Sequence, residues 1–355
     1  MTKYVPFLKS KSNEIIALGD LSSDVIELIC PFFDFPKNKN GYNNETFKIN
    51  VRKVLNSFKK HIKDIGELYF DNYDIDDSLH IDGMHNYHYL LGCLNDFPVI
   101  PVVSIDRSPN HINSVITQKD AGIVSSTVIA IRLTPEDFES FHAIEDDIED
   151  VLGNVFDKFN SIDLVFDCRV CNNLDSRTLS RHIVDFANGF SDKYTTRRIV
   201  ITGSSIPASI KDLIKVDEEG IFERNELKVY QGAKPHLDEH ILVFGDYATV
   251  SPNYSEVDII PEAMQNITTA KFIYSFAQSI YVIRGGSIKQ NGFGQYYELA
   301  KQLCSKPFYR GEKYSKGDQY LHQKSLGIGN YCTPSAVVKP TINSHITYMV
   351  KDAPI

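Results

Sequence analysis

Short apolar runs alternate with longer segments of helical periodicity over the first 250 residues, and no other feature constrains the fold of this chain as tightly. The runs are YVPFLK from Tyr4, ICPFFDF from Ile29, GELYFD from Gly66, PVIPVVSID from Pro98, TVIAIRL from Thr127, IDLVFDC from Ile162, RIVITGS from Arg198 and ILVFGDY from Ile241. Continuous apolar runs suit strands covered on both faces, as parallel strands joined by crossover helices are. Residues 12–28 carry Ile15, Ile16, Leu18, Leu21, Ile26 and Leu28 at helical spacing. Residues 135–159 predict a second helix, with Thr134 as its N-cap and Glu136 and Asp137 in its first turn. Residues 176–190 and 207–227 predict two more, the latter with Pro207 near its first turn. No Gly-rich dinucleotide fingerprint follows the first run, so the pattern favours a (β/α)8 TIM-like barrel over a doubly wound open sheet.

The last hundred residues break the pattern. KFIYSF, AQS and IYVIRGG predict two short strands around a turn, followed by helices at 294–303 and 317–326. The expected organisation is a barrel over 1–255 and a C-terminal α+β extension over 256–355. No long Pro/Ser linker separates them, so the extension is expected to pack against the barrel.

Composition bounds the function. A formal charge of −9 argues against broad nonspecific adhesion to nucleic acid, although a local basic groove is compatible with it. No segment approaches the roughly 20 apolar residues of a membrane span. The opening MTKYVPFLKSKSNE has no apolar core of signal-peptide length, which makes the cytoplasm the expected location. The six cysteines are scattered without a framework and read as reduced core thiols, and the single C-x-x-C of Cys168 and Cys171 has no second ligand pair to make a zinc site.

The apolar runs end in polar groups: Lys9, Asp34, Asp71, Asp106 with Arg107, Arg132, Asp167 with Arg169, Ser204 with Ser205, and Asp246. In a barrel these ends share the face on which catalytic and binding loops assemble. An aspartate at a strand end also caps the next helix, and that reading stands beside the functional one for Asp34, Asp71 and Asp106. Asp167, Arg132 and Asp246 favour function more, since a charge within or directly after an apolar run is costly unless paired.

Several of these segments resemble the beta family protein group of bacterial and phage genomes. The resemblance rests on YVPFLKSKSNEIIAL, PFFDF, VIPVVSID, VFGDYATVSP, YVIRGG, FYRGEKYSKGDQYL, GIGNY and SHITYMV, in that order from Tyr4 to Val350. Lys9, Glu14, Asp246, Tyr247, Arg284, Gly285, Gly317, Asp318 and Asn330 match the family's pattern. Where members often carry two adjacent histidines, this chain has Ser344 and His345. The resemblance implies a role in phage conflict or antiphage defence and brings no established reaction with it.

Two further constellations bear on chemistry. LHIDGMHNYHYL offers His80, Asp82, His85 and His88, with His85 and His88 able to share a helix face; it reads as a metal site or as a solvated aromatic-rich helix. RGGSIKQNGFGQYYELA places Gly285, Gly286, Gly292 and Gly294 before a helix, as a phosphate cradle or as a flexible loop. No G-x-S-x-G, H-E-x-x-H or P-loop is present. The functional expectation is therefore a barrel mouth that binds or acts on a phosphorylated or nucleotide ligand, with or without a divalent cation. Asp167, Asp246 and Lys9 would carry catalysis, and Arg132, Arg169, Tyr247 and Arg284 would hold the substrate. The alternative is a non-catalytic sensor or interaction module whose partner is another defence-system or phage protein.

Overall fold

The structure, a computed structural model, describes residues 2–254 and 268–355. Its strands in chain order are β1 (Tyr4–Lys9), β2 (Phe32–Asp34), β3 (Leu68–Asp71), β4 (His80–Ile81), β5 (Met84–His85), β6 (Val99–Val103), β7 (Val128–Leu133), β8 (Ser161–Val170), β9 (Thr196–Ser204), β10 (Glu218–Glu223), β11 (Leu242–Asp246), β12 (Thr269–Phe276) and β13 (Ser279–Ser287). β1, β2, β3, β6, β7, β8, β9 and β11 close into a barrel in sequence order, β11 returning to β1. Every pairing in it is parallel. All the apolar runs named above therefore become barrel strands, and the (β/α)8 expectation holds.

The pleat divides each strand between two cores. Val5, Phe7, Phe32, Tyr69, Ile100, Val102, Val128, Ala130, Val165, Val200, Val243 and Tyr247 form the inner cluster that fills the barrel. Tyr4, Leu8, Phe33, Phe70, Ile131, Leu164, Phe166 and Phe244 point outward and pack under the helices. Burial on both faces explains why the runs are continuously apolar and not alternating.

The connections depart from expectation in three places. Residues 12–28 form two helices, Ser12–Gly19 and Ser23–Ile26. The helix expected over 135–159 starts later, at Phe141–Phe156. Thr134 does not cap it, because its amide and hydroxyl turn back onto the Asp137 carboxylate, at 2.7 and 2.9 Å, in a separate turn. Residues 207–227 are not one helix: a 3-10 turn at Ile210–Asp212 leads into β10, and the helix begins at Asn225. β10 pairs antiparallel with β13, from Glu218 opposite Arg284 to Glu223 opposite Ser279. Cross-strand pairing outside the crossover thus overrides the local helical tendency.

The extension sheet has the order β10-β13-β12, so a strand from within the barrel sequence belongs to it. A division of the chain at 255/256 therefore cuts through one sheet; that boundary itself lies outside the described residues. The predicted hairpin and helices are present as β12, β13, Gln295–Cys304 and Lys316–Ser325. The C-terminal helix Val338–Lys351 is buried on all sides from Pro340 to Val350 and packs against helix Ser12–Gly19, β1 and β12. A helix buried all round joins two bodies instead of facing water.

Candidate functional site

Arg132 leaves β7 toward the barrel axis, where a lone guanidinium in an apolar core would be prohibitively costly. Three strand-end carboxylates offset that cost: Asp34 at 2.7 Å, Asp71 at 2.8 Å and Asp167 at 2.7 Å. The Tyr247 hydroxyl donates to Asp167 Oδ2 at 2.6 Å and accepts from Arg132 Nη2 at 2.9 Å. Arg107 Nη2 donates to both oxygens of Asp71 at 3.1 Å. Asp34 and Asp71 therefore form ion pairs and do not cap helices. Burial would raise the Asp167 carboxyl, yet Arg132, Arg169 and the Tyr247 hydroxyl outweigh it and hold it below the usual range. Burial pushes the Tyr247 phenol well up.

Above this floor stands Arg169, whose backbone departs from the strand. The β8–β9 register shifts between Asp167 and Val170, and Arg169 sits in the left-handed region at φ 51°. Bulges of this kind re-aim side chains. Arg169 Nη1 donates to the Tyr247 hydroxyl at 3.2 Å and Nη2 to Asn253 Oδ1 at 3.1 Å. Its guanidinium lies 4.5 Å from the centre of the Tyr73 ring.

Lys9 ends β1 beside this network, opposite Asp34 in register. Its ammonium lies 3.4 Å from the centre of the Tyr254 ring, and its amide donates to Glu14 Oε2 at 2.6 Å. Burial lowers the Lys9 pKa to about 8 and raises that of Glu14 to about 7. Asp34 is raised to about 6, burial and the neighbouring Asp71 and Asp74 together outweighing Arg132.

A cavity of about 1240 Å³ opens over these groups, lined among others by Arg169, Lys37, Lys211, Tyr42, Tyr73 and Tyr254, with Asp74, Asp76 and Asp212 also on its wall. Tyr73 and Tyr254 were not legible as site residues; they stand in loops, and only the strand-end position of their neighbours hinted at them.

Two predicted residues lie elsewhere. Asp246 was expected in the mouth, but the pleat turns Val243 and Tyr247 inward and Phe244 outward, and Asp246 shares the outward parity of Phe244. It accepts from Tyr4 Oη at 2.6 Å and from the Ala248 amide at 2.6 Å, and it pairs with Arg224 and with His345. None of these partners belongs to the mouth. Arg284 is also remote from it: on β13 it donates to Thr269 Oγ1 at 3.0 Å and to the Ile214 carbonyl at 2.7 Å, beside a different cavity. The site brings together Lys9, Arg132, Asp167, Arg169 and Tyr247, and excludes Asp246 and Arg284.

The remaining constellations resolve into structure. β4 and β5 form a small hairpin through Asp82 and Gly83, both at positive φ. His85 ends it, capping helix Asn86–Cys93 through the Tyr87 amide and meeting Asp77 at 3.0 Å, so it does not share a helix face with His88. Gly285 and Gly286 belong to β13, where a Cβ would come 2.4 Å from Gln295 Oε1 and 2.1 Å from Asn291 Nδ2 respectively; they serve close packing. Cys168 and Cys171 are buried, unbridged thiols pushed up by burial. Among the described residues no three His, Cys, Asp or Glu side chains form a group able to hold a metal ion. Among them, too, no helix is long and apolar enough to cross a membrane.

Fold and mouth together define a (β/α)8-barrel protein with a mixed-charge, aromatic-lined cavity at the carboxyl ends of its strands. The model of the Beta protein family matches residues 4–351, and the chain belongs to that family. No curated protein matches it. Among solved structures, the spore cortex-lytic enzyme SleL of Bacillus cereus aligns over 97% of this chain and 74% of its own, at 11% identity and a TM-score of 0.32.

Proposed function

We propose that the barrel mouth binds a phosphorylated, nucleotide-like ligand, in the phage-conflict setting that the family resemblance implies. The observation that carries this reading is Arg169. A non-glycine residue held at φ 51° costs on the order of 1–3 kcal/mol, and the strain aims a guanidinium into a ligand-sized cavity. Arg169 would meet a phosphate, with Lys37 and Lys211 on the same wall, while Tyr42, Tyr73 and Tyr254 offer ring faces to a base. Arg132 and Asp167 fix the Tyr247 hydroxyl on which Arg169 rests.

Turnover is supported by Lys9, whose ammonium lies against the cavity-lining Tyr254 ring and whose pKa, lowered by burial to about 8, suits proton transfer near neutrality. A divalent cation would come with the phosphates of the ligand. A second reading, recognition of a ligand or phage protein without turnover, is favoured by the saturation of Asp34 and Asp167 by Arg132, which leaves neither carboxylate free as a base.

The test is calorimetric titration with AMP, ADP and ATP, with and without magnesium, followed by product analysis. Saturable binding weakened on the order of ten-fold by Arg169→Gln is expected. No saturable binding, or binding indifferent to Arg169→Gln, overturns the reading. Release of a product decides between catalysis and recognition.

A further inference from the structure

A second cavity of about 750 Å³ lies between the loop after β9, the extension strands β12 and β13, and the start of helix Val338–Lys351. Its walls are apolar in large part, with Ile206, Ile273 and Val338 among them, and among the described residues its charged lining is Lys211, Lys271 and Arg284, with no aspartate or glutamate. In a chain of net charge −9, a lining whose described charged residues are all cationic departs from the mean field.

The register sharpens the point. Lys271 and Arg284 are direct cross-strand partners, so two like charges share one face of the sheet, an arrangement that destabilises a strand pair. Among the described residues Arg284 is held by neutral acceptors, the Thr269 hydroxyl and the Ile214 carbonyl. Glu218, opposite Arg284 on β10, is exposed, and among the described residues no carboxylate forms an ion pair with either cation. Burial and the charge of Arg284 both lower the Lys271 pKa. Partly desolvated cations without counter-ions are unfavourable, and an anion entering the cavity would relieve the cost.

We propose that this cavity binds a small amphipathic anion, one carboxylate or phosphate head between Lys271 and Arg284 with an apolar body along Ile206, Ile273 and Val338. The volume falls in the range of small-molecule sites. Ala208, Ser209 and Lys211 line both this cavity and the mouth, so the two share a wall.

The experiment titrates the full chain with octanoate, octyl phosphate, octanol and inorganic phosphate by calorimetry. Saturable binding of octanoate or octyl phosphate is expected, and the tighter of the two identifies the head group. Lys271→Met should weaken it on the order of ten-fold. Val216→Trp, at an exposed position on the cavity's edge, should block it even if Lys271→Met folds poorly. Arg169→Gln should leave it unchanged, which separates this site from the mouth. No saturable binding by either anion, equal binding of octanol, or affinity untouched by Val216→Trp overturns the proposal.

Discussion

His345 Nε2 lies 3.0 Å from both carboxylate oxygens of Asp246. Its Nδ1 stands 2.6 Å from the Ser275 hydroxyl, so the C-terminal helix links the last barrel strand to β12 through one imidazole. Arg224, itself paired with Glu226 at 2.8 Å, closes the network from the other side. All of these groups are buried, and Asp246 works as a brace between barrel and extension.

Asp246→Asn should therefore destabilise the fold. The amide leaves Arg224 with Glu226 alone, and removing one partner from a buried pair costs about 3 kcal/mol or more. Urea unfolding should report this loss, while the surviving folded protein binds mouth ligands as the wild type does.

Asp246 also sets an acid limb. Burial alone would raise its pKa, but His345 and Arg224 outweigh burial and bring it to about 2. A carboxylate depressed in the folded state stabilises above its unfolded value of about 4, and that contribution is lost as pH falls through about 2. Stability measured between those limits should fall less steeply in Asp246→Asn than in the wild type.

The barrel was legible because two-sided burial writes each parallel strand as a continuous apolar run. The strand ends Lys9, Arg132, Asp167 and Tyr247 were legible for the same reason: a polar group there must face the mouth or find a partner. Asp246 misleads because a strand end specifies the end of the barrel and not the face. Counting by twos from Val243, an inward residue, reaches Gly245 and Tyr247 and passes over Asp246. β10 was hidden because its partner β13 lies some sixty residues on in sequence, opposite Arg284 and Ile283, and local periodicity carries no record of so distant a pairing.

Glu14, buried behind Lys9, gives the fold an opposite pH response. Its pKa is raised to about 7, first by burial, so it favours the folded state fully below the unfolded value and loses that contribution as pH rises through about 7. Glu14→Gln keeps an acceptor for the Lys9 amide and removes the titration. Thermal unfolding across pH 5–8 should show a flatter dependence in the variant, and an unchanged slope would assign the titration elsewhere.

Gly317 marks a close helix–helix contact in the extension. A Cβ there would lie 2.1 Å from the Pro340 carbonyl oxygen and 2.7 Å from the Ser344 amide nitrogen, both backbone atoms of the C-terminal helix. Neither can rotate away. Gly317→Ala should cost about 1–3 kcal/mol by overpacking, or more if the helices separate. The readout is the chemical denaturation midpoint.

Arg169 permits the strain in the mouth to be weighed apart from its chemistry. Arg169→Ala removes the guanidinium but leaves a Cβ at φ 51°, whereas Arg169→Gly removes both. The glycine variant should be the more stable of the two by about 1 kcal/mol, since only glycine adopts left-handed backbone without steric cost. Both should lose nucleotide binding alike, because both lack the side chain that rests on Tyr247 and Asn253. Equal stabilities would mean that the bulge between Asp167 and Val170 carries no strain at Arg169. Binding retained in either variant would remove Arg169 from the site, and with it the feature that distinguishes this mouth from a merely well-packed barrel end.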